Sequence, residues 1–301
     1  MNWLTNIIRP KIRSLVSSQK DIPDDLWTKC PSCEGMLFQR ELKGKLNVCY
    51  HCGHHLKIGW QDRLALLFDE GRYTEVATPT VAVDPLHFRD KKRYAERLKD
   101  AQGKTGRADA IVVAHGTVHG LPLVVALFNF DFMGGSMGAA VGEGLVRAAE
   151  LAVERRAALL AIPASGGARM QEGAVSLMQM PRTIIATQMV REAGLPYLVL
   201  FTDPTTGGVS ASFAMVGDIH LAEPGAMIGF AGKRVIEETI REKLPDDFQT
   251  AEYLMEHGMV DMVVARDQQK EVIARLVGML MKAPSAGVGP GQKSLPTRAQ
   301  K

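Results

Sequence analysis

Between residues 110 and 282 the chain alternates short apolar runs with amphipathic stretches. ADAIVVAHGTV, LPLVVALFNFDF, AALLAIPA and YLVLFTDP read as strands, the first two as a hairpin joined through His119-Gly120. GLVRAAELAVERRA, GAVSLMQM and PRTIIATQMVREAG read as helices, with Pro181 starting a helix or kinking one. IHLAEPGAMIGFAG follows as two short strands about Pro224-Gly225, then KRVIEETIREKL, AEYLMEHG, a strand DMVVA and a helix DQQKEVIARLVGMLMK. Strand and helix in turn predict an α/β core. Upstream, WQDRLALLF and PLHFRDKKRYAERLKDAQ make residues 60–110 mainly helical, which puts Arg89–Arg93 on a solvated helix face. Met170, Met178, Met180 and Met189 are expected to fill core. No repeat of fixed period is present.

Two of the strands run into small-residue loops. AALLAIPA breaks at Ser165-Gly166-Gly167-Ala168, and a helical pattern resumes from about Glu172. YLVLFTDP breaks at Thr205-Thr206-Gly207-Gly208 and continues into the helix-like VSASFAMVG. A strand feeding a Gly-Gly loop feeding a helix presents backbone N–H groups at the positive end of a helix dipole. Two such loops could hold one oxygen anion from two sides. Ordinary βα turns that need Gly for φ > 0 account for the same residues.

Composition is that of a globular protein of one large or two ordinary domains: 301 residues, 46% hydrophobic and 23% charged. No apolar run is long enough for a membrane helix, and the first twenty residues lack a secretory pattern, so a cytoplasmic protein is expected. Net charge is +3, with the basic excess at the N-terminal end: residues 1–60 hold nine Lys/Arg against five acids. Such an excess could face phosphates or simply water.

Cys30, Cys33, Cys49 and Cys52 form C-x2-C-x15-C-x2-C, the spacing of a closed, structural four-thiolate zinc site. Gly35 and Gly53 sit where the knuckles turn, and MLFQRELKGKLNV between them reads as two strands turning at Lys43-Gly44, hence a zinc ribbon. Two disulfides are the competing account, disfavoured in the cytosol. Lys43, Lys45, His54, His55 and Lys57 would suit a nucleic-acid backbone, so a nucleic-acid-binding regulatory protein (RNA or DNA) is the alternative function; the sparse aromatics Phe38, Tyr50 and Trp60 support it weakly.

Other motifs fail. Gly142-x-Gly144 is followed by Arg147 where a dinucleotide fingerprint needs Gly, Gly232-Lys233 lacks the P-loop pattern, and Pro163 stands where a serine-hydrolase elbow needs Gly.

The ribbon CPSC…CYHCGHH, FDFMGGSMGAAVGEG, SGGARMQEGAVSLMQM, LFTDPTTGGVSASFAMVGDIHLAEPGAMIGFAGKRVIEETIREKLP and EHGMVDMVV together closely resemble the carboxyltransferase beta subunits of bacterial and plastid acetyl-CoA carboxylase. The resemblance covers about residues 25–280 in order. It implies a crotonase-like spiral of ββα units behind the zinc ribbon, an acyl-CoA site and an obligate alpha subunit in an alpha2beta2 assembly. It also implies a biotin carboxyl carrier protein and a biotin carboxylase, the latter consuming ATP on another subunit. Acetyl-CoA would receive a carboxyl group from carboxybiotin to give malonyl-CoA, and the released biotin would take the methyl proton.

By similarity the enolate oxygen falls to the main chain of Gly166, Gly167 or Ala168 and of Gly207 or Gly208. Arg169 and Glu172 suit an ion pair holding the loop, and Arg169 meeting a CoA phosphate is the lesser alternative. The expected division is an N-terminal extension (1–25), zinc ribbon (26–58), crotonase-like carboxyltransferase domain (59–282) and disordered tail (283–301).

Overall fold

The computed structural model describes residues 26–282; the expected extension and tail lie outside them. The chain divides into two compact units between Lys57 and Ile58.

In the first unit, β1 (Trp27–Lys29) pairs antiparallel with β2 (Met36–Phe38), and α1 (Gln39–Gly44) follows directly. The two strands expected across residues 36–48 are therefore one strand and a helix. QRELK consists of good helix formers, and the helix turns Leu42 inward beside Leu37, Cys30 and Cys49, the buried residues of this unit. The chain reverses at Leu46-Asn47, not at Lys43-Gly44, and Val48 then bridges His55. At the first knuckle Glu34, not Gly35, takes the left-handed conformation, while a Cβ on Gly35 would meet the His51 ring at 2.8 Å.

The second unit opens with α2 (Trp60–Leu67) and β3 (Tyr73–Val76), a strand the apolar pattern does not reveal. An irregular stretch leads to α3 (Tyr94–Thr105). Residues 85–93 are not helical: Asp84 and His87 have positive φ, Asp84 Oδ1 accepts the Phe88 N–H at 2.8 Å, and Arg89 bridges Arg93. Asx-turn chemistry beside Pro85 overrides the amphipathic pattern there.

β4 (Ile111–Val118) and β5 (Leu121–Phe128) form the expected hairpin, turning on His119-Gly120 with both φ positive. Then come α4 (Ala139–Arg155), β6 (Ala158–Ile162), α5 (Gly173–Leu177), α6 (Gln179–Glu192) and β7 (Tyr197–Phe201). Pro181 lies in the first turn of α6, where its missing N–H costs no hydrogen bond. The rest are β8 (Thr205–Thr206), β9 (Ile219–Ala222), β10 (Ile228–Gly229), α7 (Lys233–Ile240), α8 (Ala251–Glu256), β11 (Met262–Val263) and α9 (Gln269–Lys282).

Seven strands form one sheet in the order β11-β9-β7-β6-β5-β4-β3, antiparallel from β3 to β5 and parallel from β5 to β11. Every residue of β6 and β7 is buried because both faces are covered. Val113, Val124, Leu159 and Val199 point toward α4 and α6, while Val112, Val125, Leu160 and Leu200 point toward α2 and α9. Beyond the strand ends the loops pair among themselves: Met137 with Ala168, Ser165 with Thr205, and β8 with β10, all parallel. A long strand, a short one and a helix thus recur, the ββα spiral that the resemblance implies.

The helix after the first loop begins at Gly173, close to the expected Glu172, behind a 3-10 turn at Met170–Glu172, so Gly166 and Gly167 do not start it. The second loop needs correction. VSASFAMVG forms turns and a 3-10 segment, Phe213–Met215, not an α-helix. The Gly207 carbonyl still accepts the Ala211 N–H at 3.0 Å, but Ser212 Oγ donates to the Gly208 carbonyl at 2.5 Å, so a side chain captures the oxygen that the next helical bond would use.

Candidate functional site

The two Gly loops meet in space. Ser165 N–H donates to the Pro204 carbonyl at 2.6 Å and Thr206 N–H to the Ser165 carbonyl at 3.0 Å, locking one loop to the other. At the crossing, Gly207 has φ +65°, and a Cβ there would lie 3.0 Å from Gly167 Cα. Only glycine permits this approach.

Of the five N–H groups singled out from sequence, three are bonded internally. Gly166 donates to Gly134 O at 3.0 Å, Gly167 to Ser165 Oγ at 3.0 Å, and Gly207 to Phe230 O at 3.0 Å. The N–H groups of Ala168 and Gly208 have no acceptor among the described residues. Gly208 is buried, and its Cβ position lies 3.6 Å from the Ala168 methyl, so the two residues are neighbours. A buried N–H without a partner is costly and marks a place where a ligand oxygen would be held.

The Arg169 guanidinium is wholly buried. It donates to both Asp109 oxygens at 2.6 and 2.7 Å, to Ser136 Oγ at 3.1 Å and O at 2.8 Å, to Tyr94 Oη at 3.2 Å and to Glu172 Oε1 at 3.3 Å. Burial works against its charge, but Asp109 more than offsets this, so its pKa rises. Tyr94 Oη donates to Glu172 Oε1 at 2.6 Å, and Glu172 Oε2 accepts the N–H of Ala139 at the start of α4, also at 2.6 Å. The network ties α3, α4 and the first loop together, with its donors turned into the protein.

A cleft of about 560 Å³ opens on the first loop. Gly166 and Ala168 line one part, Met133 and Met170 an apolar part, and Lys92, Arg97 and Asp100 a charged part. Sequence reasoning missed Tyr94, Asp109, Lys92 and Arg97. Tyr94 and Asp109 stand 75 and 60 positions from Arg169, and no local pattern links them to it. Met170 and Met178 do not fill core: they are 66% and 61% exposed, near the exposed Leu177 and Ile185 of the same stretch.

In the first unit the Sγ atoms of Cys30, Cys33, Cys49 and Cys52 all lie within 4.8 Å of one another, and Cys30–Cys52 and Cys33–Cys49 are each 3.8 Å apart. Four sulfurs at about 2.3 Å from one tetrahedral ion would be about 3.8 Å apart, so the cluster fits Zn²⁺ and not disulfides. His51 and His55 instead approach the carbonyls of Met36 and Gly53. Lys43, Lys45 and Lys57 are exposed, but the aromatics are engaged: Phe38 packs on Trp27 at 5.3 Å and Tyr50 Oη accepts the Phe38 N–H at 2.9 Å. In the second unit Trp60 lies under the Arg107 guanidinium at 4.7 Å.

Among the described residues no helix is long and apolar enough to cross a membrane.

Known proteins resemble the chain in both units. The carboxyl transferase domain matches residues 67–296, and the acetyl-CoA carboxylase zinc finger domain matches residues 27–52. The acetyl-coenzyme A carboxylase carboxyl transferase subunit beta of Mesorhizobium japonicum is 57% identical over 94% of this chain and 92% of its own. That of Granulibacter bethesdensis is 59% identical over 93% and 91%. Among solved structures, the transcarboxylase 12S core with methylmalonyl-coenzyme A bound superposes with TM-score 0.60 at 26% identity, covering 73% of this chain and 41% of that one. The beta subunit of Pseudomonas aeruginosa geranyl-CoA carboxylase shares the fold at TM-score 0.58 and 18% identity, over 80% and 41%. The chain belongs to the family of acetyl-coenzyme A carboxylase carboxyl transferase beta subunits, transferases built from a zinc ribbon and a crotonase-like carboxyltransferase domain.

Proposed function

We propose that this chain binds acetyl-CoA and holds its enolate while a carboxyl group arrives from carboxybiotin on a carrier protein, in a site completed by the alpha subunit. The observation that carries this reading is the pair of N–H groups without a partner among the described residues, Ala168 and Gly208, where the two Gly loops cross. When the acetyl methyl loses its proton, negative charge moves onto the thioester oxygen. Fixed N–H donors stabilise it without reorganising. The proton goes to the biotin nitrogen, which becomes basic once its N–C bond has broken and released the carboxyl group as CO2, and the enolate carbon then forms its bond to the CO2 carbon. Gly166, Gly167 and Gly207 serve here as the close-packed support of the donors, and Arg169 as the anchor of the first loop.

The exposed apolar residues Leu177, Met178 and Ile185 on α5–α6, and Phe230 and Val235 at α7, support a partner subunit on this unit. The proposed setting is cytoplasmic, with ATP used on another subunit. Four thiolates would hold zinc as a structural ion with no open position for chemistry.

The test is biotin-dependent decarboxylation of malonyl-CoA, the reverse half-reaction, by the chain alone and with its alpha partner. Activity is expected only in the mixture. Ala168→Pro, which removes one donor, should lower kcat by about 100-fold or more. Full activity of the chain alone, or of the variant in the complex, would overturn the reading.

A further inference from the structure

We propose that Met180 is the wall that limits the size of the acyl group where the two Gly loops cross, so that the site prefers a two-carbon acyl thioester to longer ones. The identity of the substrate rests on the carboxyl-transfer reading; the apolar wall beside the two N–H groups does not.

Met180 is the second residue of α6, and its carbonyl accepts the Thr183 hydroxyl at 2.9 Å. Helical side chains lean back toward the N-terminus of their helix, and this one reaches the second loop. A Cβ on Gly208 would stand 3.0 Å from Met180 Sδ, 3.5 Å from its Cγ and 3.6 Å from the Ala168 methyl. Gly167 and Gly207 have positive φ, but Gly208 does not. Its missing side chain therefore serves space, not backbone conformation. It lets the thioether lie directly against a residue that carries one of the open N–H groups. Met180 is half-buried: it packs on the core and keeps part of its surface open.

The geometry of a carbonyl gives the direction of the acyl group. The carbon of an oxygen held by Ala168 and Gly208 bears two substituents, on opposite sides of the C=O axis. The cleft reaches Ala168 past Met133 and Met170, and Met180 lies outside its lining. With the sulfur-bearing arm of the thioester in that cleft, the acyl carbon is turned to the other side, where Met180 stands. An added methylene must then displace the thioether. Methionine is unbranched, with three rotatable side-chain bonds, so it yields at a cost and does not forbid entry. Discrimination of about tenfold per methylene is expected of such a wall.

The experiment is biotin-dependent decarboxylation of malonyl-, methylmalonyl- and ethylmalonyl-CoA by the zinc-loaded full chain with its alpha partner. The departing carboxylate is the same in all three, and only the acyl group left behind differs. In the wild type kcat/KM should fall by about tenfold with each added carbon. Met180→Ala should raise the methylmalonyl-to-malonyl ratio by about tenfold. Met180→Leu, a volume-conserving swap, should leave the ratio within about twofold of wild type, and Met180→Phe should lower it. Better turnover of the longer substrates cannot come from a damaged fold. Equal changes for all three substrates in Met180→Ala, no preference in the wild type, or Met180→Leu as permissive as Met180→Ala would overturn the proposal. Calorimetric affinities of acetyl-, propionyl- and butyryl-CoA for the same complexes read the wall without carboxyl transfer. Discrimination in binding that Met180→Ala relaxes, beside a wild-type complex that decarboxylates none of the substrates, would sink the carboxyl-transfer reading and leave the wall standing. Decarboxylation with a selectivity indifferent to Met180 would do the reverse.

Discussion

Arg169 meets Asp109 across sixty positions of chain, Nη2–Oδ1 at 2.6 Å and Nη1–Oδ2 at 2.7 Å, with the guanidinium fully buried. Removing the Asp109 charge leaves a buried cation without its main counterion. Asp109→Asn should lower stability by about 3–5 kcal/mol. It should also lower carboxyl transfer at temperatures where the variant is still folded, because Arg169 directly follows Ala168. Urea unfolding alongside the decarboxylation assay checks both; an active complex with the expected stability loss would free the network of any role in positioning.

Gly207 and Gly167 set the spacing of the two loops. A methyl at Gly207 would stand 3.0 Å from Gly167 Cα in a φ +65° conformation that L side chains rarely adopt. Gly207→Ala should cost about 1–2 kcal/mol of stability and cut kcat by more than tenfold, on the order of the loss of one oxyanion donor. KM for malonyl-CoA should move much less. A variant with lowered stability and unchanged kcat would separate loop spacing from catalysis.

Zinc should decide whether the first unit folds. Its buried residues are Cys30, Leu37, Leu42 and Cys49, far too few to offset the entropy of ordering the chain. Chelation, or Cys49→Ser, should expose residues 26–57 to proteolysis while residues 58–282 stay resistant. Persistence of the ribbon fold after complete zinc removal, followed by metal analysis and NMR, would refute this.

Glu223 gives the second unit an acid limit. It lies between Arg63 (Nη1–Oε1 2.8 Å) and Arg266 (Nη2–Oε2 2.7 Å), all three buried. Burial works to raise its pKa, but the two arginines more than offset this and hold it well below the usual carboxylate range. A folded pKa below the unfolded one stabilises the protein above the unfolded value of about 4.3, and that stability is lost as pH falls through the folded pKa. Unfolding free energy should therefore drop on acidification below about pH 4. In Glu223→Gln the protein should be weaker at neutral pH and its acid slope shallower. Equal slopes for the two proteins would exclude Glu223 as the source.

Features local in the chain were legible without coordinates. The C-x2-C pairs, the β4–β5 hairpin on His119-Gly120, the buried strands β6 and β7 and both Gly loops each depend on neighbours in sequence. Ribbon and family could be read from those motifs together. Where local patterns competed, the wrong one could be chosen. Helical periodicity over residues 85–93 yields to an Asx turn, and a helix after Gly208 yields to the hydroxyl of Ser212.

Tertiary structure alone decided which N–H groups remain unpaired. Gly166, Gly167 and Gly207 find acceptors in Gly134, Ser165 and Phe230, while Ala168 and Gly208 find none among the described residues. It alone joined Asp109 and Tyr94 to Arg169, and set Lys92 and Arg97 in one cleft with Ala168. The physical reason is shared: a chain determines its turns and amphipathic faces through residues a few positions apart, but a hydrogen-bond donor is satisfied or left open by whatever the folded core brings beside it.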